Sequence, residues 1–170
     1  MRLIGHAALF NSRSVDLGGF FEVISPGAFR RTLADGHNVL ALHYHQHPAI
    51  LGSTRSGALS LREDDRGLAF ELALPETSLG RDVHALVKRG DLASMSFAFR
   101  VPDDDGEIWR QSRNGIIERT LLDVDLSEIS TVALPAYPAT SVSARSVEQF
   151  KSRLANDLRR RTMAVRLRAA

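Results

Sequence analysis

The chain has 170 residues, 44% hydrophobic and 25% charged, a balance suited to one soluble domain with a substantial core and room for an appendage. It contains no cysteine, which excludes disulfides, thiolate metal sites and a cysteine nucleophile. No apolar run nears the ~20 residues that span a bilayer, and no signal-peptide pattern opens the chain. The net charge of +2 is uneven: residues 151–170 carry seven basic groups against Asp157, leaving the first 150 residues at −4. The basicity therefore belongs to a tail and argues against a nucleic-acid-binding body.

In chain order, residues 3–10 predict a strand and residues 11–14 a polar loop. Ser25-Pro26-Gly27-Ala28-Phe29 predicts a helix start, with Ser25 as N-cap and Pro26 at the first helical position, ending near Asp35-Gly36. Residues 39–44 and 50–54 predict strands. Leu59-Ser60-Leu61 and residues 68–74 alternate about Asp64-Asp65-Arg66-Gly67, the clearest hairpin signal in the chain. Pro75 stops the sheet. Val83, Leu86 and Val87 then recur at helical spacing between a Thr77/Ser78 cap and a Gly90 stop. A strand around Ser96 follows, then a turn at residues 103–106 and strands near 116–122 and 125–134. Pro135 and Pro138 end the ordered body, and residues 146–170 read as a basic helical tail. These elements predict a β-rich α+β domain over residues 1–145, as a partly closed antiparallel β-barrel with a few short helices, plus a basic C-terminal helix.

The stretch Arg89-Gly90-Asp91-Leu92-Ala93-Ser94-Met95-Ser96-Phe97-Ala98-Phe99 puts a hydroxyl inside an aromatic-flanked run. In an extended chain Ser94, Ser96 and Ala98 share one face while Met95, Phe97 and Phe99 share the other. The apolar face can pack a core and the small face can open on a cleft. A serine so presented becomes a nucleophile if a base reaches it. His43, His45 and His47 alternate about Tyr44 and Gln46, so on a continuing strand all three imidazoles would share a face. Histidine is the natural base near neutral pH. Late in the chain, Val124, Leu126, Glu128 and Ser130 would share a face, so Glu128 interrupts a mostly apolar row. A carboxylate buried there needs a partner, and a histidine would serve. Residue types alone leave open a metal-dependent hydrolase built on His43, His45 and His47, and also ordinary polar packing around Ser96.

The combination resembles the HK97-type prohead proteases of tailed phages, a family distantly similar to the herpesvirus assemblins. The resemblance runs from about Gly5 to about Arg145. Its marks are Gly27-Ala28-Phe29, His45 seven residues before Gly52, and Gly67-Leu68. They continue with Arg89-Gly90-Asp91 leading to Met95-Ser96-Phe97-Ala98-Phe99, and Glu128-Ile129-Ser130 leading to Pro135-Ala136-Tyr137-Pro138-Ala139-Thr140. Each piece is weak alone; their order and spacing make the match. The chain departs from the family's pattern at Gln46, where an aspartate is usual, and at Ala98, where glycine is usual.

The resemblance implies a serine endopeptidase with an assemblin-like fold, Ser96 as nucleophile, His45 as general base and Glu128 as the third member, with no cofactor and no metal. It implies as substrates the scaffolding segment of the major capsid protein and the protease itself. It further implies a homodimer or higher oligomer acting inside the assembling prohead in the bacterial cytoplasm, with neither membrane nor nucleic acid as partner. A non-catalytic capsid-assembly scaffold on the same fold is a further alternative. The basic tail then reads either as a removable or capsid-docking segment or as an ordinary amphipathic helix.

Overall fold

The computed structural model describes residues 1–144. In chain order the described elements are β1 (Arg2–Leu9), β2 (Phe20–Ile24), α1 (Arg30–Ala34), β3 (Leu40–His43), β4 (Gln46–Ser53), β5 (Leu59–Glu63) and β6 (Gly67–Ala73). There follow α2 (Ser78–Arg89), β7 (Ser94–Arg100), β8 (Glu107–Gln111), β9 (Ile117–Leu121), β10 (Asp125–Val132) and β11 (Ser141–Ala144). The basic tail expected over 146–170 lies outside the described residues. No described helix is long and apolar enough to cross a membrane.

The strands fall into three sheets, ordered β11-β1-β6-β5, β4-β3-β10-β7 and β2-β9-β8. This corrects the expected antiparallel barrel. Among the described residues no closed barrel forms, and two sheets are mixed, because β10 runs parallel to β3 and β2 runs parallel to β9. Parallel partners need long crossovers, and alternation within each strand carries no record of such distant pairings. The first two sheets meet where the Val142 N–H donates to the Ala93 carbonyl at 3.1 Å, just before β7.

The β5–β6 hairpin forms as expected, with Leu61 opposite Phe70. So does α2, where Thr77 Oγ1 accepts the Gly80 N–H at 3.2 Å and Gly90, at φ 93°, closes the C-terminus. The helix expected from Ser25 begins later. Gly27 sits at φ 95°, outside the helical region, so residues 25–29 turn first and α1 starts at Arg30. Strands β2, β8 and β11 were not foreseen. β8 is almost wholly exposed and shows no inside-outside alternation, while β11 follows the prolines expected to end the body.

Beneath the second sheet the core gathers Phe29, Met95, Phe97, Leu126 and Ile129. The Phe97 ring meets Phe29 edge-on at 5.7 Å and lies 5.4 Å from Tyr137, fixing the middle of β7 from below. A single hydroxyl holds the main chain just ahead of it: Thr140 Oγ1 accepts the Met95 N–H at 3.1 Å and donates to the Met95 carbonyl at 2.7 Å. Helix α1 fastens the start of β10. Thr32 Oγ1 donates to the Val124 carbonyl at 2.5 Å and accepts the Leu126 N–H at 3.2 Å.

Candidate active site

Strand β7 pairs antiparallel with β10, placing Ser96 directly opposite Ser130 and Ala98 opposite Glu128. Directly paired side chains share a sheet face, with Cβ atoms about 4.5–5.5 Å apart. Ser96, Ser130 and Glu128 therefore stand together above the sheet, while Met95, Phe97 and Ile129 point into the core. Ser96 is half-buried, and among the described residues its hydroxyl makes no hydrogen bond.

Glu128 reaches this face through a β-bulge. Leu126 pairs with Phe99 and Glu128 with Ala98, so Ser127 is an extra residue on β10. Unbroken alternation would have put Glu128 on the same face as Leu126. The bulge turns the carboxylate away from the apolar side and over the β7 serine, the re-aiming that bulges perform beside functional sites. The expected shared row of Val124, Leu126, Glu128 and Ser130 is thus broken between Leu126 and Glu128.

The strand carrying the histidines also ends early. β3 stops at His43, and Tyr44 and His45, at φ 53° and 58°, form a two-residue turn into β4. Both central residues lie in the left-handed region, the signature of a type I′ hairpin turn. The three imidazoles consequently do not share a strand face. His43 pairs with Thr131, which points away from the Glu128 and Ser130 face, and its Nδ1 lies 2.9 Å from Thr131 Oγ1. Burial pushes the His43 pKa down. His47 is exposed on β4. No group of three or more His, Asp or Glu side chains among the described residues is arranged to hold a metal ion.

His45 alone meets the carboxylate. Its Nδ1 bonds Glu128 Oε1, and the Glu128 side chain is 6% exposed against 42% for the imidazole. A carboxylate oxygen accepts hydrogen bonds, so in this pairing Nδ1 is the donor. The second carboxylate oxygen, Oε2, accepts from the Ser130 hydroxyl at 2.6 Å. Ser130 Oγ in turn accepts the His45 N–H at 3.1 Å, and the Tyr44 N–H donates to the Thr131 carbonyl at 3.1 Å. The tip of the β3–β4 hairpin is thus held against β10 by both main chain and side chains.

Of the residues singled out in the sequence, the structure joins His45 and Glu128 by a hydrogen bond and sets Ser96 on the same face, with no hydrogen bond between Ser96 and His45. Sequence reasoning missed the link through Ser130. Alternation placed that residue beside Glu128, but alternation does not reveal which groups a hydroxyl bonds.

A family model described as caudovirus prohead serine protease matches residues 1–153. The chain belongs to this family. The prohead protease family anticipated from the order of the motifs is therefore the one that matches, and its match covers every residue of the site. Among solved structures, the varicella-zoster virus protease is similar at a TM-score of 0.48 and 13% identity, covering 83% of this chain and 62% of that chain. The chain thus spans less than two thirds of that viral protease. No protein of curated function matches the chain.

Proposed function

We propose that the protein is the serine endopeptidase of prohead maturation, with Ser96 as nucleophile, His45 as general base and Glu128 as the group that orients and charges the base. The observation that carries this reading is the His45–Glu128 pair above the strand that presents Ser96. With Nδ1–H held by the carboxylate, Nε2 is the basic nitrogen, able to take the Ser96 proton as Oγ attacks a peptide carbonyl. The same nitrogen returns that proton to the leaving amine, and Glu128 stabilises the imidazolium formed between the two steps. Water then repeats the sequence on the acyl-enzyme. The lack of a hydrogen bond from Ser96 to His45 is compatible with this role, since catalytic hydrogen bonds tighten as substrate docks.

Membership of the family supports, as substrates, the scaffolding segment of the major capsid protein and the protease's own chain, cut inside the assembling prohead in the bacterial cytoplasm by a homodimer or higher oligomer. The experiment is intact-mass analysis of the wild type and Ser96→Ala, each incubated with the cognate capsid precursor. Wild type is expected to trim the precursor and itself, while Ser96→Ala trims neither. Equal trimming by both would remove Ser96 from the chemistry. Normal prohead maturation with Ser96→Ala would favour a non-catalytic scaffold.

A further inference from the structure

The described residues place a second hydroxyl directly opposite Ser96, and its bonds differ from those of an ordinary core serine. We propose that Ser130 is a positioning residue of this site, clamping the base to the acid; the inference rests on the catalytic reading of Ser96, His45 and Glu128. Ser130 is fully buried in the middle of β10, with Ser96 across one ladder and Leu42 across the other. A buried serine in such a strand commonly satisfies its hydroxyl on a nearby carbonyl. This one instead donates to Glu128 Oε2 at 2.6 Å and accepts the His45 main-chain N–H at 3.1 Å.

Both bonds bear on the imidazole. The first fixes the carboxylate plane, so that Oε1 faces Nδ1 rather than rotating away. The second fixes the residue that carries the ring, in a left-handed conformation that non-glycine residues rarely adopt. Together with the Nδ1 bond they close a ring: His45 main chain to Ser130 hydroxyl, to Glu128 carboxylate, to His45 side chain. The imidazole direction is then set from two ends. Because Ser130 is paired with Ser96, the same residue also fixes how far the clamp stands from the nucleophile. Ser130 cannot itself attack substrate, being shut away from solvent with its proton committed to Glu128.

The test compares full-length wild type, Ser130→Ala, Ser130→Thr and, as a control, Ser60→Ala at an exposed position of β5. Three readouts serve: labelling of Ser96 by a fluorophosphonate, resolved into maximal rate and half-saturation; the proton NMR resonance of His45 Nδ1–H; and the melting curve. Ser130→Ala is expected to stay folded and to lose ~10- to 100-fold in maximal labelling rate at unchanged half-saturation, the range typical for supporting partners of a reactive group. Its Nδ1–H resonance should move upfield or broaden. Ser130→Thr, which keeps the hydroxyl, should restore rate and resonance, and Ser60→Ala should match wild type. The proposal is overturned if Ser130→Ala labels at the wild-type rate with the resonance unmoved, or if Ser130→Thr is as impaired as Ser130→Ala. Wild type that never labels at Ser96, yet shows the resonance and loses it in Ser130→Ala, would count against the catalytic reading and leave the clamp standing.

Discussion

Glu128 makes two separable contacts, and a single substitution distinguishes them from simple burial. Its carboxylate accepts from Ser130 on one oxygen and from His45 on the other, and it is almost wholly shut from water. A lone carboxylate in that place would be costly, so the two donors are also what allow it to be there. In Glu128→Gln the side chain keeps its shape, but Ser130 can donate only to the amide oxygen. The amide NH2 then faces His45 Nδ1, which must give up its proton, and Nε2 becomes the protonated nitrogen. The expected result is a folded protein whose kcat falls ~10²- to 10⁴-fold, as removal of a triad carboxylate does elsewhere, with KM little changed. Steady-state cleavage of a peptide drawn from the capsid precursor checks this; near-normal kcat would make Glu128 a structural carboxylate.

The elements that carry the site were mostly legible, and their relations mostly were not. Alternation in residues 94–99 set Ser96 apart from Met95, Phe97 and Phe99, and β7 has that arrangement. The hairpin at residues 59–74 and the capped helix α2 were equally plain, because each is fixed by contacts or turn residues close in sequence. Three features were not. The left-handed turn at Tyr44 and His45 carries no clear mark in the sequence, which left open a strand running on through all three histidines. Only the fastening of that turn to β10 makes the conformation tenable, and the fastening spans more than 80 residues of sequence. The bulge at Ser127 was likewise invisible, because nothing in Leu126-Ser127-Glu128 marks one residue as extra until its partner strand is known. The early helix failed for a local reason: Ser25-Pro26 has the form of a helix start, but Gly27 takes a left-handed turn instead.

At the scale of the whole molecule, charged networks beside the site make stability depend on pH in a definite sense. Arg31 of α1 reaches Asp123 at 2.7 Å and Asp125 at 2.6 Å, and Arg100 of β7 reaches Asp125 at 2.8 Å, tying helix and strands at the entry to β10. Hydrogen bonds from Arg100 and then Arg31 hold the Asp125 carboxyl below its usual range, and the Trp109 indole, with Arg119, does the same for Glu107. Groups depressed in this way stabilise the folded state above their unfolded pKa, about 4, and that contribution is lost as pH falls through the lower folded value. His43 is also depressed, by burial, so the unfolded chain takes up its proton first, and stability starts to fall below the unfolded value of about 6.5. His84, depressed by burial and by the nearby positive N-terminus and Lys88, acts in the same direction. The melting temperature is expected to decline in two stages on acidification. His43→Gln should reduce the stage that begins near neutrality and leave the one below pH ~4 intact. A melting temperature flat from pH 7 to 5 would contradict the assignment to the histidines.

The central claim, that Ser96 is a nucleophile driven by His45, is tested most directly by where a fluorophosphonate attaches. The protein would be labelled to completion, digested and its modified residue located by mass spectrometry, alongside Ser96→Ala and His45→Ala. The expected result is one adduct on Ser96, none in Ser96→Ala, and a greatly slowed reaction in His45→Ala. An adduct on another serine, or labelling of Ser96 that is indifferent to His45, would contradict it.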